Sequence, residues 1–191
     1  MSREAEEQLI ERLHEPKTQQ AAFAELVKEY SEPLYWQIRK IVLSHDDTDD
    51  VLQNTFIKVW TSIENFRGDS KLSTWLYRIA VNEAITFLNK QRSLNNVSID
   101  DADTFLLGKL EGDEYFDGDE AQLKLQKAIL LLPEKQRIVF NMKYFDEMKY
   151  EDMSEILETS VGALKASYHH AVTKIKDFLD MSSYSINKFS I

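Results

Sequence analysis

Residues 65–82 have the sequence N-F-R-G-D-S-K-L-S-T-W-L-Y-R-I-A-V-N, in which a short polar loop leads into an amphipathic helix. Gly68 tolerates backbone angles that other residues avoid, and Asp69 and Ser70 favour turns and helix caps, so residues 66–70 are predicted to form a loop. The apolar side chains after this loop recur at helical spacing: Trp75, Leu76, Ile79, Ala80, Ala84, Phe87 and Leu88.

The predicted helix also presents hydrogen-bond donors between its apolar residues, namely Arg78, Asn82, Lys90 and Arg92. A polar and aromatic loop beside such a helix suits a single nucleic-acid strand, because aromatic rings stack on bases and cations contact phosphates. An ordinary amphipathic helix with Trp75 facing inward and its basic residues in water has the same pattern. The residues alone therefore leave strand binding and simple core packing both open.

The N-terminal half of the chain is predicted to be a bundle of about four helices, of which the Trp75 helix is the last. Apolar residues at helical spacing define one helix over residues 23–30, a second after Pro33 as far as residue 42, and a third over residues 51–63. Residues 44–49 are expected to interrupt the pattern, with their Asp and Thr side chains capping the third helix.

The C-terminal part has four further helical patterns. Pro133 separates the first two, and residues 158–160 form a short turn between helices predicted over residues 150–157 and 161–179. A short helix, a three-residue turn and a longer helix have the proportions of a helix-turn-helix. Small residues near the start of the longer helix would let it enter a major groove, with Lys165 and His170 reaching phosphates or base edges. A plain helical hairpin has the same pattern.

Residues 98–120 lack periodicity and contain nine acidic residues and one lysine. Residues 1–97 contain 12 basic and 15 acidic residues, and residues 121–191 contain 10 basic and 9 acidic ones, so most of the net charge of -10 lies between them. Self-repulsion and few apolar side chains predict a flexible linker. The sequence therefore predicts an all-α fold of two small helical domains, an N-terminal helical bundle and a C-terminal four-helix helix-turn-helix domain, joined by a flexible acidic linker.

Composition excludes several classes of protein. The chain has no cysteine, so it has no disulfide or thiolate metal site. Its acidic start is unlike a signal peptide, and no apolar run approaches membrane-spanning length, which predicts a cytoplasmic protein without membrane insertion. The four histidines lie beside no nucleophile pattern, so no enzyme and no cofactor is expected. Residues 46–50 lack the spaced ligands and glycine of a calcium site, so no metal is expected.

Residues 47–60 form a third informative segment. On a helix, Asp50, Gln53, Asn54 and Ile57 lie near one another and form a mixed polar and apolar stripe suited to a partner helix. A helix start that is simply exposed to solvent would have the same sequence pattern.

These three segments resemble, in the same order, the extracytoplasmic-function (ECF) sigma factors of bacterial RNA polymerase, and the resemblance covers residues 21–179. It implies a non-catalytic initiation factor that binds core RNA polymerase and promoter DNA, serves a stress or envelope-signal regulon and is held by an anti-sigma factor. It also implies that residues 1–97 are sigma region 2, residues 98–120 an interdomain linker and residues 121–191 sigma region 4.

The resemblance assigns residues to three contacts. Polymerase docking is expected at Asp47, Asp49, Asp50, Val51, Gln53, Asn54, Ile57 and Trp60. Recognition and melting of the minus-ten element is expected at Asn65, Phe66, Arg67, Asp69, Ser70, Lys71, Trp75, Arg78 and Asn82. Reading of the minus-thirty-five element is expected at Gly162, Ala163, Lys165, Ala166, Ser167, His169, His170 and Thr173. Ser167 and Val172 stand where family members often have arginine, and Glu158 replaces a common turn glycine, so weaker DNA binding is expected.

Two other functions remain open on sequence grounds. One is a stand-alone helix-turn-helix regulator, which would bind duplex DNA without polymerase. The other is a sigma-like interaction protein that sequesters a regulator and never contacts DNA. For the linker, mimicry of a nucleic-acid strand in a basic polymerase channel and a simple solvated spacer are both consistent with its charge.

Overall fold

The computed structural model describes residues 3–94 and 120–187, and within these ranges it contains eight α-helices and no strand. The helices are α1 (Arg3–His14), α2 (Gln19–Val42), α3 (His45–Ser62), α4 (Leu72–Leu94), α5 (Glu120–Leu130), α6 (Glu134–Tyr144), α7 (Tyr150–Leu157) and α8 (Val161–Asn187), with a 3-10 turn at Ile63–Asn65. The chain divides into two compact units, residues 1–94 and 95–191. The predicted all-α, two-unit architecture is confirmed. The predicted linker lies outside the described residues, except for Glu120, which begins α5.

In the first unit, α2 packs against α1, α3 and α4. Each helix buries the apolar stripe that its periodicity predicts. The largest fully buried side chains of this unit are Leu9, Leu13, Leu26, Leu34, Ile38, Ile41, Ile63, Leu72, Leu76 and Leu88. This core fixes the outward faces of α3 and α4.

The predicted break at Pro33 does not exist, because Pro33 lies inside the continuous helix α2. Tyr30 and Leu34, four residues apart, are both buried on the same stripe, whereas Pro33 is exposed. A proline costs an interior helix one hydrogen bond and a steric clash. Here that defect is on the solvent side, and burial of the continuous stripe offsets it.

The break between α2 and α3 is shorter than predicted and is capped differently. Leu43 ends α2 in the left-handed region, with φ of 70°, and its N–H donates to the Arg39 carbonyl at 3.0 Å. Ser44 is the N-cap of α3, since its hydroxyl oxygen accepts from the Asp47 N–H at 3.4 Å. The expectation that Asp and Thr residues cap this helix is therefore wrong; Asp46 and Asp47 lie in its first turn, where carboxylates interact favourably with the helix dipole.

In the second unit, α8 packs against α5, α6 and α7. The core is a cluster of six buried residues: Ala128, Ile129, Leu132, Phe140, Ala171 and Ile175. The turn between α7 and α8 lies where it was predicted, and Glu158 adopts the left-handed region there, with φ of 50°. A residue other than glycine in this region costs roughly 1–2 kcal/mol. The predicted end of the last helix was too early, because α8 continues to Asn187.

Candidate nucleic-acid interface and docking surface

Helix α3 exposes a stripe of mixed chemistry on the side away from the core. Ile57 is 56% exposed and Trp60 is 41% exposed. The polar members of this stripe are also exposed: Asp49, Asp50, Gln53 and Asn54. We call these six residues the α3 stripe. Isolated large apolar residues are normal on a surface, but aromatic residues such as Trp60 are enriched at interfaces, and polar groups commonly surround them there.

Two of the residues predicted for docking have other contacts. Val51 is 1% exposed, because it repeats at a spacing of four with Thr55 and Val59 on the face of α3 that packs into the core. Its assignment to the docking surface was therefore wrong. Asp47 is half-exposed, and one of its carboxylate oxygens accepts from the Gln91 amide at 3.1 Å. This bond ties the start of α3 to the end of α4.

Trp60 stands at the edge of the α3 stripe and is held by aromatic contacts. Its ring lies 4.8 Å from the ring of Phe23 on α2, at an interplanar angle of 72°. Phe23 also makes an edge contact with Phe56 at 6.4 Å. The Trp60 ring is thus partly packed and partly available, which is the condition of aromatic anchors at protein interfaces.

The loop before α4 is anchored by Phe66, which is 6% exposed. The Phe66 ring packs against that of Trp75, with centroids 5.0 Å apart. The prediction that Phe66 contacts a base is therefore wrong for this conformation, because its ring belongs to the core. Gly68 has φ of 76° with open space around its α-carbon, so the backbone angle is what demands glycine there.

The side chains that remain at this loop and on α4 are polar. Asn65, Arg67, Asp69 and Lys71 are exposed and Ser70 is half-exposed. On α4, Arg78 and Asn82 are exposed and Trp75 is half-exposed, and the spacings of three and four residues put all three on one face. Of the nine residues predicted to contact the minus-ten element, six are thus exposed, Ser70 and Trp75 are half-exposed and Phe66 is buried.

Helix α1 places acidic side chains beside the loop that precedes α4, which the sequence analysis did not predict. The Leu72 N–H at the start of α4 donates to a Glu6 carboxylate oxygen at 2.8 Å. A hollow of about 820 Å³ is lined by α1 and the loop, including Glu7, Glu11, Gly68 and Lys71. The feature of the sequence that could have indicated this surface is the acidic composition of residues 4–11.

In the second unit, the predicted recognition face of α8 is exposed to solvent. Leu164, Ala171 and Ile175 are buried on one side. The residues predicted to read duplex DNA are exposed, apart from half-exposed Ser167: Gly162, Ala163, Lys165, Ala166, His169, His170 and Thr173. Gly162 is exposed, and open space surrounds the place that a β-carbon would occupy there. Such a face can enter a major groove.

Two further residues near this face were missed in the sequence. The Lys165 ammonium lies 5.7 Å from the centroid of the Tyr150 ring, and the Lys143 ammonium lies 5.1 Å from it. Burial, and to a smaller degree Tyr168, raises the pKa of Tyr150, so its hydroxyl stays protonated at neutral pH. No periodicity links residues 143, 150 and 165, which come from three different helices.

Residues 3–94 and 120–187 contain neither a candidate metal-ion cluster nor a candidate membrane-spanning helix. No group of three or more His, Asp or Glu side chains in these ranges is placed to hold a metal ion. None of the helices described there is both long enough and apolar enough to cross a membrane.

Comparison with known proteins gives the family. Residues 26–94 match the Sigma-70 region 2 family and residues 122–175 match Sigma-70 region 4. The chain is 30% identical over 184 residues to the RNA polymerase sigma-H factor of Pseudomonas aeruginosa, covering 90% of this chain and 92% of that protein. It is 31% identical over 161 residues to the ECF RNA polymerase sigma factor SigW of Bacillus subtilis, covering 80% and 86%.

The fold also matches a solved structure. CnrH in complex with the cytosolic domain of CnrY is similar with a TM-score of 0.65 and 22% sequence identity, over 93% of this chain and 98% of that one. This likeness supports the fold.

Two helical units, one of which exposes a helix-turn-helix, form an architecture that DNA-binding transcription factors use. The chain belongs to the ECF sigma factors of the sigma-70 family. It is therefore a non-catalytic initiation factor, which binds RNA polymerase and directs initiation at specific promoters.

Proposed function

We propose that the two units of this sigma factor divide promoter recognition between them. Residues 1–97 act as region 2, docking on core polymerase and holding the melted minus-ten element. Residues 98–120 act as the connecting linker, and residues 121–191 act as region 4 and read the minus-thirty-five duplex. The observation that supports this division best is the exposure of separate polar faces on α3, α4 and α8, each opposite a buried apolar stripe.

Docking on polymerase uses the α3 stripe. The acids Asp49 and Asp50 meet basic side chains of the partner, while Ile57 and Trp60 supply apolar contact. Aromatic residues are enriched at the centres of interfaces because a large, rigid side chain loses little conformational freedom when it is buried. The packing of Trp60 on Phe23 supports this role, since the ring is already oriented before the partner arrives.

The minus-ten strand lies along the loop and the outer face of α4. Arg67 and Lys71 are exposed at the loop, and Arg78 and Asn82 continue the same exposed surface on the helix. Trp75, held against Phe66, presents its exposed part to a base. Aromatic stacking contributes about 1–3 kcal/mol for each base, and the contact tolerates any base, so the polar residues of the loop supply the discrimination.

The minus-thirty-five duplex lies against α8. Gly162, Ala163 and Ala166 allow close approach, and His169 and His170 reach base edges or phosphates from the same exposed side. Lys165 contacts phosphate, which fixes position rather than sequence. Because this face has one lysine and no arginine, the affinity of the isolated unit for DNA is low and depends on polymerase to hold it in place.

The setting and regulation are proposed by analogy. The solved relatives include CnrH with the cytosolic domain of CnrY, and the sigma factor RpoE with the anti-sigma factor NepR from Bartonella quintana. We infer from these complexes that an anti-sigma factor also binds this chain. Since RNA polymerase works in the cytoplasm, the chain acts there, and a stress or envelope signal releases it.

Reconstitution with core polymerase tests the division of labour against the two alternatives. The purified chain is expected to co-purify with core polymerase and to give run-off transcripts that core alone does not make. A stand-alone regulator would bind duplex DNA by itself and would add no transcripts. A sequestering protein would do neither, and either result would refute the proposal.

A further inference from the structure

The loop before α4 has a buried side chain at each end. Phe66, at its start, is 6% exposed and packs against Trp75. Leu72, directly after the loop, is 0% exposed and is the first residue of α4. The residues between these two anchors are exposed or half-exposed. The path of the loop therefore depends on how firmly its two ends are fixed.

The second end of the loop is fixed by a residue that is distant in sequence. The Leu72 N–H donates to a carboxylate oxygen of Glu6, on α1, at 2.8 Å. The first N–H groups of a helix have no partner within the helix, and a carboxylate near them also interacts favourably with the helix dipole. The residue before Leu72 is Lys71, whose side chain only donates hydrogen bonds, and the Ser70 hydroxyl donates to the Lys71 carbonyl at 3.4 Å. The acceptor for the Leu72 N–H thus comes from another helix.

Glu6 reaches this position from a helix that is itself held in place. Helix α1 packs against α2 and against the 3-10 turn Ile63–Asn65, which directly precedes the loop. Arg12 on α1 forms an ion pair with Glu25 on α2 at 2.6 Å. Burial, followed by the charge of Glu6, raises the pKa of Tyr30 to about 12, which indicates that the Glu6 carboxylate also lies near α2. The carboxylate is therefore restrained on the side of α1 that faces the bundle.

We propose that Glu6 is a positioning residue for minus-ten recognition, which fixes residues 66–71 in the conformation that receives the melted strand. The proposal rests on the proposed function of this loop, and it adds α1 to the elements that support the site. Glu6 acts through the Leu72 backbone and not through a contact with DNA. A loop loses conformational freedom when it binds a ligand, and a hydrogen bond that restrains the loop beforehand reduces that loss.

The test measures the affinity of the reconstituted holoenzyme for a forked template made from a promoter at which the chain starts transcription. Its minus-thirty-five element is duplex and its minus-ten element is single-stranded. A second template has a scrambled minus-ten strand, so the ratio of the two affinities measures minus-ten discrimination alone. Glu6→Leu, which removes the acceptor, should lower this ratio about three- to tenfold. Glu6→Gln, which keeps an acceptor oxygen, should stay within about twofold of the parent.

Two further variants separate the hydrogen bond from the charge. Glu11→Gln is the charge control, because Glu11 is exposed on α1 and lines the same hollow beside the loop. Loss of an acid near DNA reduces repulsion, so a charge effect alone would raise the affinity for both templates and leave their ratio unchanged. Glu6→Asp keeps the charge but is one methylene shorter, so it should also lower the ratio, and it replaces Glu6→Leu if that variant does not fold.

The outcomes distinguish failure of the inference from failure of the proposed function. A parent-like ratio for folded Glu6→Leu, with a lower ratio for Asp69→Ala, would overturn the inference and leave the function of the loop intact. Equal losses for Glu6→Gln and Glu6→Leu would also overturn it, because the hydrogen bond would not be the cause. If Asn65→Ala and Asp69→Ala both left the ratio unchanged, the proposed function of the loop would fail, and the inference with it. Thermal unfolding of each variant shows that the comparison is made between folded proteins.

Discussion

Replacing Ile57 by alanine should weaken assembly with core polymerase without weakening the fold. Ile57 is 56% exposed on the α3 stripe. Full burial of an isoleucine side chain contributes about 1.5–3 kcal/mol, so burying the exposed part against a partner contributes about 1–1.5 kcal/mol. Loss of this contact corresponds to a reduction in affinity of about five- to tenfold. The free energy of unfolding should change by less than about 0.5 kcal/mol, since the site is on the surface.

Val51 offers a matched control on the same helix. Val51→Ala removes two methyl groups from a side chain that is 1% exposed, so it should lower the free energy of unfolding by about 2 kcal/mol through lost burial and a cavity. Its folded fraction should bind core polymerase as the parent does. The assays are titration of core polymerase with fluorescently labelled chain and chemical denaturation of the chain alone. Unchanged core affinity for a folded Ile57→Ala variant would refute the docking assignment.

Three further predictions concern other parts of the chain. Gln37 is 1% exposed, and neither of its amide atoms has a hydrogen-bond partner among the described residues. Gln37→Met should therefore raise the free energy of unfolding, measured by denaturant titration, by about 1–2 kcal/mol. A lower free energy of unfolding would contradict this prediction. Burial, with smaller effects of Glu6 and Glu29, raises the pKa of Tyr30 to about 12. Because the folded pKa exceeds the unfolded one of about 10, this contribution to stability is complete below pH 10 and is lost as pH rises toward 12; Tyr30→Phe should abolish that part of the pH dependence of unfolding. The nine acidic residues of segment 98–120 can be replaced by Ser and Asn. If the segment mimics a nucleic-acid strand, this change should weaken binding to core polymerase and make the binding less sensitive to salt. If the segment is a spacer, affinity and salt dependence should stay the same.

Helical periodicity predicted the faces of helices well. The stripe of α8 through Leu164, Ala171 and Ile175 is buried, and α7 has the bounds that its pattern indicates. Periodicity works here because residues three and four apart share a face whatever the helix packs against. It failed at Pro33, where a local rule against proline was outweighed by burial on both sides of it.

Burial within the candidate sites could not be predicted, because it depends on elements distant in sequence. Val51 lies among docking residues in the chain, yet it is 1% exposed, on a helix that packs against α2 and α4. Phe66 lies in a polar loop, yet it packs on Trp75, nine residues later. The meeting of Lys143, Lys165 and Tyr150 has the same origin, since three helices must pack before their side chains come together.

The central claim is that this chain gives core RNA polymerase its choice of promoter. The most direct test is transcription by purified core polymerase, with and without the chain, on a library of upstream fragments from its own genome, followed by mapping of transcript 5′ ends. The account predicts a discrete set of new start sites that share one element near minus ten and one near minus thirty-five, and their loss with the Ile57→Ala variant at limiting concentration. Start sites identical to those of core alone, with a chain that is folded and bound to core, would contradict it.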